Sequence, residues 1–322
     1  MPTPSPQGFV CNALLMAIMT IPGAAQAQAV EPLRVVASFS ILSDMVQEIG
    51  GDKIALSTIV GRDADAHTFE PTPSDTKALT HAQLLIVNGL DFEAWIPRLV
   101  QSSGYQGPQL VASAGITPLD FAHTADNNHD HDHDHDHEDH DHGHSHGQHD
   151  PHAWQSLQQA QVYVKNIAVG LAQADPANAD YYQARAQDYA QRMQSLDQHW
   201  RAQFARVPSD KRRVITSHDA FAYFAKAYDI QFLPLLGVSN MAEPSAKEMA
   251  TLIKQARDEH IAAIFTENVV SPKLAQQMAR EVGTKLGGVL YSDALGPEGS
   301  EAGTYLGMMD WNAKQVYEAL QP

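Results

Sequence analysis

Four segments of the chain each place a metal-ligating side chain at the boundary of a strand or helix. In G-R-D-A-D-A-H-T-F-E-P-T-P-S-D, His67 lies in a proline-punctuated loop after the apolar run I-A-L-S-T-I-V. In H-D-P-H-A-W, Asp150 has the character of a helix N-cap and Pro151 of a first helical residue. That puts His152 in the first turn of a helix beginning near Ala153. The strand in V-I-T-S-H-D-A-F-A-Y-F ends just before His218, and V-L-Y-S-D-A-L-G brings Asp293 to the same place after the last strand. Alone, each has an ordinary explanation: a surface loop histidine, the last histidine of a tract, a turn aspartate. Together, three imidazole nitrogens and one carboxylate oxygen make a four-coordinate, tetrahedral set matched to Zn2+. Four protein ligands leave no position for an activated water, so the chemistry implied is capture and not hydrolysis, and the chain is expected not to be an enzyme.

A second feature concerns metal more loosely. From His129 to His149 the chain reads H-D-H-D-H-D-H-D-H-E-D-H-D-H-G-H-S-H-G-Q-H. Imidazole and carboxylate suit borderline divalent ions, but a tract without apolar residues cannot bury a core. Residues 123–149 are therefore expected to form a mobile, solvated loop that collects metal without fixing it. Within it, His135 to His140 matches the H-x-H-x-D-H signature of metallo-β-lactamase-type hydrolases; no apolar strand precedes it, and so repetitive a tract produces such matches by chance. No H-E-x-x-H occurs.

Composition sets the compartment. Residues 9–22 form an apolar run too short to span a bilayer and are followed by A-Q-A-Q-A, the pattern of a secretory signal peptide over residues 1–29 cleaved after Ala27 or Ala29. Cys11 opens the apolar run, where a lipoprotein cysteine would follow it, so no lipid anchor is expected. The mature chain then has no cysteine, which excludes thiolate ligands and leaves stability to core packing. Formal charge is −17, and residues 126–150 carry more than half of it. That balance argues against nucleic acid and anionic membranes and favours cations.

The elements that must position the four ligands follow from hydrophobic periodicity. Strand-like runs L-R-V-V-A-S-F-S, I-A-L-S-T-I-V and L-L-I-V-N-G alternate with amphipathic stretches, and R-R-V-I-T-S, I-A-A-I-F-T-E and G-G-V-L-Y-S-D repeat the rhythm later. Helices near Phe221–Tyr228, Ser245–Asp258 and Ser271–Val282 separate the later strands. The pattern predicts an α/β fold of two lobes with parallel sheets covered by helices. Between the lobes, Asn178 to Arg206 contains neither Gly nor Pro, and Tyr182, Tyr189, Met193, Leu196, Trp200 and Phe204 recur at helical spacing. One long rigid helix is expected there. The organisation is a leader over 1–29, an N-terminal lobe over 30–175, a linking helix over 176–206 and a C-terminal lobe over 207–322, with the metal site between the lobes.

The mature chain resembles the cluster A-I metal-binding receptors of bacterial ABC importers, which include zinc-uptake and manganese-uptake proteins. The resemblance covers nearly all of residues 33–318 through N-G-L-D-F-E-A-W, D-A-H-T-F-E-P-T-P-S-D, D-P-H-A-W, T-S-H-D-A-F-A-Y-F-A-K-A-Y, F-T-E-N-V-V-S-P-K-L and Y-S-D-A-L. It implies that the family's metal positions fall on His67, His152, His218 and Asp293, and that two lobes are joined by a rigid helix. In detail the chain is most similar to AztC-type zinc receptors, which pair a histidine loop with three His and one Asp. Manganese receptors of the family usually carry Glu at the third position, where this chain has His218; the added nitrogen favours zinc. Some zinc relatives place Glu or Pro before the first histidine, and here that residue is Ala66, so no Glu there can be the fourth ligand, which favours Asp293, with water as the alternative to complete the shell.

The expected function is a periplasmic, monomeric solute-binding protein that captures Zn2+ and delivers it to an ABC-transporter membrane permease, with a periplasmic zinc metallochaperone as a further partner. Release is expected through local movement of ligand loops more than through wide hinge closure, because the linking helix is stiff. Two rivals remain: a zinc buffer working mainly through the His/Asp tract, and a Mn2+ receptor or adhesin of the same family. Glu267, after I-A-A-I-F-T, is placed either to orient a ligand histidine or to serve as a structural cap. Trp154 and Phe221 flank ligand positions as shields or as packing, and His81, His199 and His260 read as surface residues.

Overall fold

The computed structural model describes residues 1–2, 31–120, 149–237 and 244–321. The expected leader, apart from Met1 and Pro2, and the His/Asp tract, apart from His149, lie outside the described residues. Pro32–Pro322 forms one compact unit. No helix among the described residues is long and apolar enough to cross a membrane.

The first lobe runs β1 (Leu33–Phe39), α1 (Ser40–Gly50), β2 (Ile54–Val60), α2 (Pro73–Thr80), β3 (Leu84–Val87), α3 (Ile96–Ser103) and β4 (Gln109–Val111). Its four strands are all parallel, in the order β2-β1-β3-β4. β1 is buried at six of its seven positions and β3 at all four, as expected of central parallel strands covered by helices on both faces. Two helices follow, α4 (Leu157–Ala174) and α5 (Ala179–Phe204). The second lobe runs β5 (Arg213–Thr216), α6 (Ala222–Tyr228), β6 (Gln231–Pro234), α7 (Ala246–Asp258), β7 (Ala263–Glu267), α8 (Lys273–Val282), β8 (Lys285–Leu290) and α9 (Tyr305–Leu320). Its sheet, β6-β5-β7-β8, is also parallel and repeats the topology of the first. Both sheets reverse direction of winding between their two central strands, the place where ligands bind at carboxyl ends.

The long helix is 26 residues, and its buried stripe is Tyr182, Ala186, Tyr189, Met193, Asp197, Trp200 and Phe204. Leu196, expected on that stripe, is half-buried, because the buried stripe steps from Met193 by four to Asp197 and then by three to Trp200. The buried Asp197 bonds Arg201 Nε at 2.7 Å. The helix touches both lobes: Arg185 Nε donates to Glu48 O at 2.7 Å, and Trp200 Nε1 to Asp310 Oδ1 at 2.8 Å. α9 carries the chain back, since Tyr305 N donates to Asp44 Oδ2 on α1 at 2.8 Å. In consequence the larger hydrophobic core is continuous, running from Leu33 and Phe39 through Tyr189 and Trp200 to Phe224, Phe265 and Met308. A smaller core, with Ile215, Ile264 and Met278, fills the outer side of the second sheet.

Four elements depart from the sequence reading. The helix expected from Ala153 is a 3-10 turn, Ala153–Gln155, after which Ser156 caps α4 by accepting from Gln159 N. Pro151 and Asp150 therefore precede the helical turn, with His152 at its N-cap. The last strand starts earlier than G-G-V-L-Y-S-D, at Lys285, and a Cβ on Gly287 would lie 2.3 Å from the Phe265 ring, so only glycine lets the strand approach there. β4 and β6, short edge strands of three and four residues, carry no alternation by which to read them.

Met193 is fully buried on the helix that both lobes share, whereas Gln194 beside it is exposed. Met193→Ala is expected to lower unfolding free energy by about 2–5 kcal/mol and Gln194→Ala to change it by less than about 0.5 kcal/mol, measured by urea denaturation of the metal-free protein.

Candidate metal centre

The loop that carries His67 leaves the end of β2 and is folded onto itself. Asp65 Oδ1 accepts from His67 N at 2.8 Å and Asp65 Oδ2 from Thr68 Oγ1 at 3.0 Å, an aspartate turn that fixes the direction of the imidazole. Trp95 Nε1 donates to Ala66 O at 2.9 Å, and the Phe92 ring meets the His67 ring edge-on at 4.7 Å. Both aromatic residues belong to N-G-L-D-F-E-A-W, a motif in which the sequence reading named no site residue.

His152 is held from beneath. Asp150 Oδ1 lies 2.9 Å from His152 N and 2.7 Å from His152 Nδ1. A carboxylate oxygen only accepts, so Nδ1 carries the hydrogen and Nε2 presents its lone pair. Asp150 thus orients a ligand-type histidine as well as ending the loop. The preceding backbone is tied to both lobes, with Asn88 Nδ2 donating to Pro151 O at 3.1 Å and Tyr223 OH to Asp150 O at 3.0 Å. Asn88 is itself fixed by Tyr163 OH at 2.6 Å. Beneath it Glu93 accepts from Ser38 Oγ at 2.5 Å and Asn88 N at 2.6 Å, and burial pushes its carboxyl up.

His218 stands at the end of β5 and Glu267 at the end of β7, the two central strands of the second sheet. Glu267 Oε1 accepts from His218 N at 2.9 Å, and Oε2 lies 2.6 Å from Nδ1. Of the two alternatives for Glu267, the geometry selects the orienting carboxylate. Asp293 follows β8, and its neighbour Ser292 offers its carbonyl to Trp154 Nε1 at 2.9 Å and Gln155 Nε2 at 2.7 Å. Trp154 is fully buried and edge-on to His152 at 5.2 Å, so it both packs and walls the site. Phe221 instead stacks on Phe232 at 5.2 Å within the second lobe. His81, His199 and His260 are exposed.

All four residues singled out by the sequence converge. One nitrogen or oxygen from each of His67, His152, His218 and Asp293 lies within 4.8 Å of the others. His67 Nε2 is 3.2 Å from His152 Nε2 and 3.6 Å from Asp293 Oδ2. His152 Nε2 is 3.4 Å from Asp293 Oδ1, and His218 Nε2 is 3.0 Å from Asp293 Oδ2. A tetrahedral ion with bonds of 2.0–2.2 Å separates its ligand atoms by about 3.3–3.6 Å. Asp293 and His218 are fully buried, and both carboxylate oxygens and His218 Nε2 lack a hydrogen-bond partner in the protein. Lone pairs aimed at one another without a shared hydrogen are costly unless a cation sits among them.

The electrostatics agree. Burial pushes the His67 imidazole down to about 4 against the pull of Asp293, so it is neutral and ready to coordinate. Burial also opposes charge on His218, but Glu267 and Asp293 overcome it and hold that imidazole well above its ordinary range. Asp293 is penalised by burial, yet His218 and His152 hold it well below the usual carboxylate range.

The model of the zinc-uptake complex component A family, periplasmic, matches residues 35–319. Iron-binding protein YfeA of Yersinia pestis is 31% identical over 283 residues, covering 88% of this chain and 85% of its own. Manganese ABC transporter substrate-binding lipoprotein PsaA of Streptococcus pneumoniae is 29% identical over 296 residues, covering 90% and 89%. Among solved structures, the periplasmic zinc binding protein TroA of Treponema pallidum superposes with a TM-score of 0.79 at 27% identity, covering 91% of this chain and all of that one. With its paired parallel-sheet lobes and linking helix, the chain belongs to the family of periplasmic metal-binding receptors typified by zinc-uptake component A, which bind a metal ion for an ABC importer's membrane permease and are not enzymes.

Proposed function

We propose that the chain captures Zn2+ with His67, His152, His218 and Asp293 and hands it, as a monomer, to the permease of a zinc importer. The observation that carries this reading is the convergence of three imidazoles and one carboxylate on a point where Asp293 has no other partner. Nitrogen-rich tetrahedral shells suit zinc, whereas manganese prefers more oxygen and higher coordination number. The resemblance to AztC-type receptors rests on the same donor set together with the tract. The expected lobes, 30–175 and 207–322, then grip the ion on either side of the helix over 176–206, and the leader over 1–29 exports the chain.

The tract at 123–149 is assigned an auxiliary part. Asp120 and His149 pair as an isolated antiparallel bridge, with His149 Nδ1 2.8 Å from Asp120 Oδ1, so the two residues flanking the segment lie together, and His149 precedes His152 by three residues. Ions held loosely there are delivered at high local concentration, as tethering provides. One observation favours a second reading as a manganese receptor: both oxygens of Asp293 face imidazole nitrogens, an arrangement that allows a bidentate carboxylate and a fifth ligand atom.

Untagged protein lacking residues 123–149 is expected to retain one tightly bound zinc per chain, and a buffer acting through the tract would retain essentially none. His67→Ala, His152→Ala, His218→Ala and Asp293→Ala are each expected to lose more than about 100-fold in zinc affinity, beyond the cost of losing an orienting partner. Equimolar zinc is expected to displace manganese; manganese surviving that competition would establish the second reading.

Protons compete with the cargo at a named position. In the metal-free protein Glu267 and Asp293 favour the imidazolium form of His218, which carries a second ring proton, while burial keeps His67 neutral with a single one at neutral pH. An incoming cation must expel the His218 proton. Calorimetry at pH 7 in buffers of different ionisation enthalpy is expected to report about one proton released per zinc, with affinity falling roughly tenfold per unit decrease in pH. Below about pH 4, where His67 also takes up a proton, the slope is expected to steepen toward two.

A further inference from the structure

Asp293 follows the last strand of the second lobe, but the segment that carries it is fastened to the first. Leu295, two residues on, has its amide bonded to Ser40 Oγ at 3.0 Å and its carbonyl to Asp63 N at 3.1 Å. Ser292 O is taken by Trp154 and Gln155, and Tyr305 N by Asp44. The loop in between closes on itself through Gly296 N to Ala302 O at 3.0 Å. Across its mouth lies Arg62, whose single NH1 nitrogen donates to Gly296 O at 2.8 Å and to Gly303 O at 2.7 Å. From the second lobe, Asn312 holds Tyr291 N at 2.9 Å and Tyr291 O at 2.7 Å just before this stretch, His218 Nε2 lies 3.0 Å from Asp293 Oδ2, and Asn268 Nδ2 donates to Ala294 O at 3.2 Å while the same amide group reaches Asp63 Oδ1 at 2.9 Å.

Arg62 stands five residues before His67, in the same loop. We propose that Arg62 is a positioning residue for the cargo: it clamps the segment following Asp293 to the loop of His67, so that two ligands from opposite lobes are set as one unit. This rests on the four-ligand reading of the site. A guanidinium suits the task because one nitrogen supplies two hydrogens in a fixed plane, matched here to two carbonyls. The consequence is a division of the site that the chain order hides. His67, His152 and Asp293 form one group referred to the first lobe, and His218 with Glu267 forms the other.

The test compares Arg62→Ala and Arg62→Lys with the native chain and with Arg192→Ala, an arginine on the linking helix α5 that bonds Glu48 of the first lobe. Zinc is loaded at one equivalent and withdrawn by excess chelator in stopped flow, with association rate and thermal midpoint measured alongside. Arg62→Ala is expected to release zinc about 10-fold faster, the scale of losing an outer partner of a metal ligand, with an unchanged association rate. Because Arg62 is largely exposed, the metal-free midpoint is expected to stay within about 2 °C. Arg62→Lys is expected to fall between Ala and native, and Arg192→Ala to match native. A release rate for Arg62→Ala within twofold of native, or a faster release matched by an equal change in Arg192→Ala, would overturn the clamp while leaving the four-ligand reading intact. A native chain that retains no tight zinc would overturn both.

Discussion

A carboxylate sealed from water and surrounded by imidazoles is the constraint on which the rest of the molecule depends. Asp293 is fully buried, neither of its oxygens has a hydrogen-bond partner in the protein, and no lysine or arginine among the described residues forms an ion pair with it. Removing an ion from water costs several kcal/mol even after relaxation, and here the compensation comes from positive charge that can be exchanged. On the proposed four-ligand reading, a proton on His218 supplies it in one state and a divalent cation in the other. The site is thereby a competition between two cations for one arrangement of lone pairs. Asp150 and Glu267 behind two of the imidazoles keep those rings from turning away when the occupant changes.

Such an arrangement has to be held rigidly, and the fold does this with a core that ignores the boundary between sheets. The same apolar cluster includes β1, the long helix, α6, β7 and α9. Prising the lobes apart over their full width would expose that cluster to water, at roughly 25 cal/mol per Å² of apolar surface. Against that cost, displacement of a single ligand loop is the smaller event. The separate, smaller core beneath α7 and α8 leaves the outer part of the second sheet less coupled to the rest.

Much of this was legible in the sequence because the relevant signals are local. Strand ends are marked by the switch from apolar runs to S-H-D or S-D-A, and parallel sheets bring such ends to one side, so His218 and Asp293 could be placed from periodicity alone. The long helix was legible for the same reason, except that a buried Asp197 broke the apolar rule at the point where Leu196 was expected. The start of α4 was misread because Asp-Pro has the form of a helix start, whereas Asp150 spends its carboxylate on His152 and leaves the cap to Ser156. What could not be read is whatever depends on distant residues meeting. Phe92 and Trp95 gain their roles only once β3 lies beside β1, and Arg62 gains its own from carbonyls more than two hundred residues away.

The burial of the candidate ligands also ranks the order in which they can meet an ion. His152, His218 and Asp293 have no exposed side-chain surface, while His67 retains 9%. Its imidazole is also the one that burial drives to neutrality, so its lone pair is open to an arriving cation without a proton having to leave. The His218 nitrogen, by contrast, becomes a donor only after surrendering its proton, and it is fully buried beside Asp293. On the four-ligand reading, an ion would therefore meet the ligand that needs no deprotonation first and the ligand that does need it last. Exchange of proton for metal is then completed inside the site, where the leaving proton and the entering ion are both within reach of Asp293. On the proposed four-ligand reading, the exposed edge of the site, more than its depth, would set the capture rate, and the buried His218 would set the selectivity against protons.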